Sequence, residues 1–484
     1  KYNKNIMAIL INQKPLYKTL PVGQDIVFSV SDDTIVANNY NVKFVAEVYV
    51  SNSNANLNTT SNRIAVLKTT PNNAGVGIFS MQKVLESFVK PDNNGTDFLN
   101  GSTYKTVAYS NTTPHPIHLI DQYANSDNAA RYFMVEFFLE YSTSQTGVVT
   151  IDRTNSVLSE PRLFYNGYLN YDDVLKQTGN DYGYPLHDLN YVMDADNSYF
   201  LSNAPTTQYA RLTDYGTLPF FNFLSTGDYS FQTGSDTSTI NKVHYFSIKL
   251  YDSSNTQLTG ITSFVNFTNG SATTSNQYSN CRLNYFGAFP SNLDGWSSQW
   301  DSHKANTSYY TIQAFDDDNQ IISQLYTINI ITDDCKGFEG IRLTWLNPYG
   351  VWDYYTFTKK SVRSLQTNRT SYTQLGGTWN ESTYKINGFS GGKKNFRVNS
   401  KELIRINTDY LVDADAIWFE DLINSPEVYI LNGFSSDANG MVNKYVEPVT
   451  VATSSYTRKT KANDKLIQYT FELEKSKNKR IQSA

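Results

Sequence analysis

The sequence predicts a mainly β, multi-domain protein built of β-sandwich-like modules with two short helices. Three observations predict it. The chain carries 36 Tyr and 27 Phe among 484 residues, and aromatic and β-branched side chains suit a pleated, half-buried surface. Only 18% of residues are charged, against ~25% in an ordinary globular chain. The polar remainder is Asn, Ser and Thr, not the Glu, Lys and Arg that cover exposed helix faces. Third, period-2 alternation recurs along the chain, whereas a helical stripe occurs twice.

Four runs carry the alternation. In 42–50, Val42, Phe44, Ala46, Val48 and Val50 share one face, and Lys43, Glu47 and Tyr49 the other, the pattern of a half-buried strand. In 131–141, Phe133, Val135, Phe137 and Leu139 form an inner face. In 244–251 the inner residues are Phe246, Ile248 and Leu250. Near the end, Ile467, Tyr469, Phe471 and Leu473 alternate with Gln468, Thr470, Glu472 and Glu474. Polar turns punctuate these runs, at 252–255 and 316–319 among others. Strands starting at Tyr132-Phe133, Tyr245-Phe246 and Tyr309-Tyr310 share a loose plan, which fits either repeated modules or any hairpin-rich chain.

The first helix is expected at about 80–90. Ser80 can cap it, Met81, Val84, Leu85, Phe88 and Val89 make its stripe, and Pro91 ends it. The second is expected at about 413–424, capped by Asp413, with Ala414, Ile417, Trp418 and Leu422 inward and Ser425-Pro426 as the stop. Asp415 sits favourably near the positive end of its dipole.

Single cores stop growing beyond roughly 250–300 residues, so this length implies two or three domains. Polar stretches after 179 and around 333–340 divide the chain into 1–175 with the first helix, 176–335, and 336–484 with the second. Long Asn/Ser/Thr loops such as 51–62 are too polar for a core and can reach neighbouring subunits.

A formal net charge of −5 and an isoelectric point near 5.6 give no basic footprint, so no specific nucleic-acid binding is expected. Basic residues cluster at 458–461 and 475–480, where a solvated terminus is expected. No run approaches ~18 apolar residues, so no membrane span is expected, and residues 1–7 lead into too short an apolar stretch for a signal core. Cys281 and Cys335 are too few for a disulfide framework; they can pair or remain free thiols. The Asn-x-Ser/Thr triplets follow from composition and are not read as glycosylation sites.

No catalytic constellation emerges, and the chain reads as a non-enzyme without cofactor or metal. His115 and His118, with Asp121 nearby, have ligand-like spacing, but Pro114 and Pro116 favour an extended loop where that spacing need not converge. His187-Asp188 lacks a nucleophile motif, His244 suits a partly buried strand position, and His303 has no evident partner motif. Asp316-Asp317-Asp318-Asn319 lacks the calcium-loop pattern and reads as a hairpin turn. Glu420 and Asp421 are adjacent on a helix and point different ways. Ser390-Gly391-Gly392-Lys393 lacks phosphate-loop spacing. Two binding readings remain. Trp296, Trp300, Trp345, Trp352, Trp379 and Trp418 can serve a sugar-binding face, or else cores and subunit interfaces, and the second is preferred.

The last third carries a pattern in order: Leu343-Thr344-Trp345-Leu346-Asn347-Pro348-Tyr349-Gly350, then Trp352-Asp353-Tyr354-Tyr355, the segment around Trp418, Asn424-Ser425-Pro426-Glu427, and Asn463-Asp464-Lys465-Leu466. With the Ile9-Leu10-Ile11-Asn12-Gln13 start, it resembles virion structural proteins of tailed bacteriophages, tail components of podovirus-like and crAss-like phages above all. The resemblance is structural and transfers no functional residue. It implies a subunit of a tail ring, collar or baseplate, made in the host cytoplasm and built into the virion tail. The implied partners are further copies of the chain and other tail proteins. The alternative is a carbohydrate-binding adhesin or receptor-binding protein of the virion.

Overall fold

The computed structural model describes residues 9–15, 19–52, 56–91, 123–125, 129–169, 177–178, 181–182, 193, 196–221, 243–264, 283–316, 318–331, 338–379, 381–411, 413–431, 446–453, 467–477 and 479–483. The protein is mainly β, with several sheets and five short helices among the described residues. It forms two compact units: Lys1–Ile330 with Leu346–Asp353, and Ile331–Trp345 with Tyr354–Ala484.

In the first unit two pairs of sheets enclose two cores. A three-stranded antiparallel sheet (Leu10–Gln13, Val27–Ser31, Val76–Ser80) faces a six-stranded one. The latter is ordered Thr19–Pro21, Arg162–Tyr165, Ala130–Ser142, Tyr40–Ser51 and Arg63–Thr69, with Thr150–Leu158 also paired to Ala130–Ser142. Phe28 and Phe79 meet Phe137 at ring distances of 5.5 and 5.6 Å, which ties the two sheets together. The predicted inner residues Phe44, Ala46, Val48, Phe133, Val135, Phe137 and Leu139 all lie in this core.

The second core lies between a five-stranded sheet and a three-stranded one. The five-stranded order is Thr207–Ala210, Tyr326–Ile330, Tyr309–Phe315, Tyr245–Tyr251, Gln257–Phe264. The smaller sheet is Thr217–Phe221, Leu283–Gly287, Tyr123–Asn125. Phe246 stacks on Phe286 across the gap at 4.3 Å. Tyr245–Tyr251 and Tyr309–Phe315 are antiparallel neighbours, with Tyr251 opposite Tyr309, so two of the three aromatic starts noted in sequence belong to one sheet.

In the second unit an eight-stranded sheet runs Trp352–Phe357, Ile341–Leu346, Val428–Leu431, Val446–Val451, Thr470–Lys475, Gly392–Asn407, Val362–Gln374, with Lys479–Ser483 also paired to Gly392–Asn407. The helix Asp413–Asn424 covers one face, where Trp418 and Phe419 meet Trp345, Tyr355, Phe357 and Phe471. Lys479–Ser483 is thus a strand, not a loose basic tail, while 458–461 lies outside the described residues.

The helices require corrections. Ser80 does not cap the first helix: it ends the strand Val76–Ser80, and the α-turn Gln82–Leu85 continues into a 3₁₀ turn at Glu86–Phe88. Met81, Leu85 and Val89 are nonetheless buried as the stripe required. In the second helix Ile417 is 44% exposed, and Ala416, Trp418, Phe419 and Leu422 are buried. The inward face is therefore centred between Trp418 and Phe419. The side chains of Asp413 and Ala414 lie outside the described set.

Three further helices, Asp33–Asn38, Pro290–Trp296 and Ser298–His303, were not expected. Each is two turns or fewer, too short to print a stripe in sequence. Their termini carry the signal: Asp32 accepts from Ile35 N at 2.9 Å, Pro290 occupies the first turn, and Ser297 accepts from Trp300 N at 3.2 Å.

Candidate functional site

The most distinctive surface is a β-hairpin arm in the second unit. Val362–Gln374 and Gly392–Asn407 pair antiparallel from Val362↔Arg405 to Gln374↔Gly392, with an irregularity at Thr370/Ser371. The root is anchored: Ile404 and Ile406 are buried, and Gly392–Asn407 also pairs with Thr470–Lys475 and Lys479–Ser483. Arg363 binds Glu339 at 2.6 Å and Glu402 at 2.9 Å there. The hydrogen bond from Arg363 holds the Glu339 carboxyl below the usual range despite the opposing effect of burial. Even so, twelve of the thirteen residues in Val362–Gln374 are exposed. That strand is also the last in its sheet, so one edge has no strand partner among the described residues.

The tip, described at 375–379 and 381–391, is braced by its own bonds. Thr378 N donates to Lys385 O and Lys385 N to Thr378 Oγ1, both at 2.9 Å. Gly377 N donates to Ser390 Oγ at 3.0 Å, and the Tyr384 hydroxyl donates to Gly376 O. Gly377 sits at φ +96°, and a Cβ there would lie 2.4 Å from Lys385 O, so the fold of the tip demands glycine. These bonds brace the tip, and its large apolar side chains are exposed. Leu375 and Trp379 are each 74% exposed, Ile386 and Phe389 each 83%, and Tyr384 62%. Five large apolar groups exposed within one short segment are more than the scattered single residues an ordinary surface carries.

The sequence candidates for chemistry disperse. His115, His118, Asp121, His187, Asp188, Cys281 and Cys335 all lie outside the described residues. His244 is half-buried with its ring 5.5 Å from that of Phe264, and His303 Nδ1 lies 2.9 Å from Gln299 O on its own helix. Asp316 is a turn residue whose Oδ1 accepts from Gln320 N at 2.7 Å, with Asn319 at φ +61°. Ser390-Gly391-Gly392 closes the arm's tip, the two glycines at φ +93° and +78°. Glu420 is half-buried beside the buried Asp421 on the covering helix. Among the described residues no group of three His, Cys, Asp or Glu is placed to hold a metal, and no helix is long and apolar enough to cross a membrane. Of the six Trp, Trp300, Trp345, Trp352 and Trp418 are buried, Trp296 packs half-buried on a core, and Trp379 stands exposed at the tip.

One polar cluster escaped the sequence reading. Glu47 and Tyr49, placed by alternation on an outer face, are 3% and 5% exposed. Arg63 and Arg153 reach Glu47 Oε1 at 2.9 and 2.5 Å, and the Tyr49 hydroxyl donates to Glu47 at 2.9 Å and lies 3.0 Å from Glu136. Burial pushes the Glu47 carboxyl up, but hydrogen bonds from Arg153 and Tyr49 and the two guanidinium charges carry it below the usual range. Burial and the flanking carboxylates push the Tyr49 phenol well up. With its charges paired, this cluster is a structural clasp across four strands.

No family model and no curated protein matches the chain. Among solved structures it is weakly similar to the native conformation of Escherichia coli alpha-2-macroglobulin, with 8% identity and a TM-score of 0.18 over 82% of this chain and 22% of that one. The trypsin-activated form of the same E. coli protein gives 8% identity and a TM-score of 0.14, over 82% of this chain and 29% of that one. The chain thus spans under a third of the length of either, and similarity at this level carries no argument about fold or function.

Proposed function

We propose that this chain is a structural subunit of a bacteriophage tail, a ring, collar or baseplate-type component that acts through subunit–subunit interfaces. The observation that carries the reading is the arm: an anchored hairpin with a preformed tip presents five large apolar side chains to solvent. A free-standing chain gains little from such a surface, whereas an assembled one covers it. The C-terminal sequence resemblance to tail proteins supplies the particular assembly. The partners are further copies of the chain and other tail proteins, and the site of action is the virion tail, assembled in the host cytoplasm. Protein analysis of purified virions tests the reading; particles that lack this chain would sink it.

The alternative, a carbohydrate-binding adhesin, draws on the same tip, where Trp379 and Tyr384 are exposed rings. Binding on a glycan array that disappears in Trp379→Ala would favour it over assembly.

A further inference from the structure

Charge is distributed unevenly along the chain, in a way that names the partner of the arm. The distal arm, 368–399, carries Arg369, Lys385, Lys393, Lys394 and Arg397 against the single acid Glu381, a formal +4 in a protein of net −5. The first unit, Lys1–Ile330 with Leu346–Asp353, has 29 acidic against 19 basic residues, a formal −10. The second unit, to which the arm belongs, has 16 acidic against 21 basic residues, a formal +5.

We infer that the arm is a head-to-tail connector, the basic distal hairpin of one copy docking on the acidic first unit of the next. The inference rests on the assembly reading above and assigns its contact. Two arms of +4 repel, which disfavours a symmetric arm-to-arm contact, while arm against first unit pairs opposite signs. Such a contact uses different surfaces on the two copies. It therefore repeats around a ring when the rotation closes. The apolar tip supplies the area to bury and the basic flanks supply the steering. Single-stranded nucleic acid also suits basic residues interleaved with aromatics. The second copy is favoured because the tip presents the aliphatic Leu375 and Ile386, which do not stack on bases, and because Glu381 lies among them.

Two variants of the full chain test it. In the first, 368–399 is replaced by Asn-Gly joining Thr367 to Ser400, which face each other in the ladder; the root keeps its buried core and its pairing with Thr470–Lys475, and only the Arg397 and Asn399 rungs to Lys479–Ser483 are lost. The second is the triple reversal Lys393→Glu, Lys394→Glu, Arg397→Glu, which touches only exposed side chains. Sedimentation velocity at low and high salt should show wild-type oligomers that dissociate as salt rises. The shortened chain should stay monomeric with an unchanged near-ultraviolet spectrum, and the reversal should weaken self-association about 10–100-fold. A photo-crosslinker at Phe389, in mixed isotopically light and heavy chains, should join the tip to peptides of 1–330 from the other copy. Crosslinks from arm to arm, or an oligomer unchanged by shortening, would overturn the inference. So would a chain monomeric under all conditions, or a reversal that abolishes binding of a single-stranded oligonucleotide and leaves assembly intact. Presence in virions is scored separately, so the connector can fail while the tail assignment stands.

Discussion

Replacing Glu47 by Gln tests whether the clasp holds the six-stranded sheet together. The carboxylate is 4% exposed and accepts from Arg63, Arg153 and Tyr49. Glutamine keeps the shape and one acceptor but removes the charge that two guanidinium groups face. Breaking a fully buried pair costs about 3–5 kcal/mol. Here the arginine side chains are 40% and 44% exposed and can turn outward into water, so the cost falls to about 1–3 kcal/mol. Urea unfolding followed by tyrosine and tryptophan fluorescence measures it. The pH dependence carries the sign. Because the folded carboxyl lies below its unfolded value, its contribution is fully present above about pH 4.3 and is lost as pH falls through the lower folded value. Wild type and variant should therefore differ at neutral pH and converge in acid. A difference under ~0.5 kcal/mol at pH 7, or one that persists undiminished at about pH 3, would refute the clasp.

The second unit should depend on its aromatic cluster. Trp418→Ala removes a ring 5.1 Å from Trp345 and 5.2 Å from Phe419 and should cost about 3–5 kcal/mol in chemical denaturation; an unchanged midpoint would place the ring outside the core. Gly377→Ala should strain the tip by about 1–3 kcal/mol without altering global stability, seen as faster hydrogen exchange at Thr378 and Lys385 amides alone. Retained protection there would contradict the backbone reading. Asp252→Ala deletes the acceptor of Ser254 N and Thr256 N, both at 2.8 Å, and should lower stability by about 1–2 kcal/mol, checked by thermal unfolding.

Alternation was enough to place Phe44, Phe133, Phe246 and Phe471 inside, because an inward face is a local property of a strand. It misassigned Glu47 and Tyr49 because what buries them arrives from Arg63 and Arg153, on strands that no local window reveals. The short helices escaped for a related reason: Asp32, Pro290 and Ser297 mark their starts, but two turns give a periodic search nothing to count. Most instructive is the arm. Its strands are mostly polar and carry no clear inward face, so alternation does not single them out, and a search for core patterns passes over exposed residues. The pairs Gly376-Gly377 and Gly391-Gly392, bracketing an aromatic-rich segment, were the available clue.

The strand pairing at the root also sets a timetable. Gly392–Asn407 is held on its other side by Thr470–Lys475, so that pairing waits until roughly 80 residues after Gly392 is made. At about 5–20 residues per second that is a delay of about 4–16 s during translation. A hairpin made before that strand lacks the pairing that seats its root. On the connector reading, the arm would become competent only when the sheet that carries it is whole.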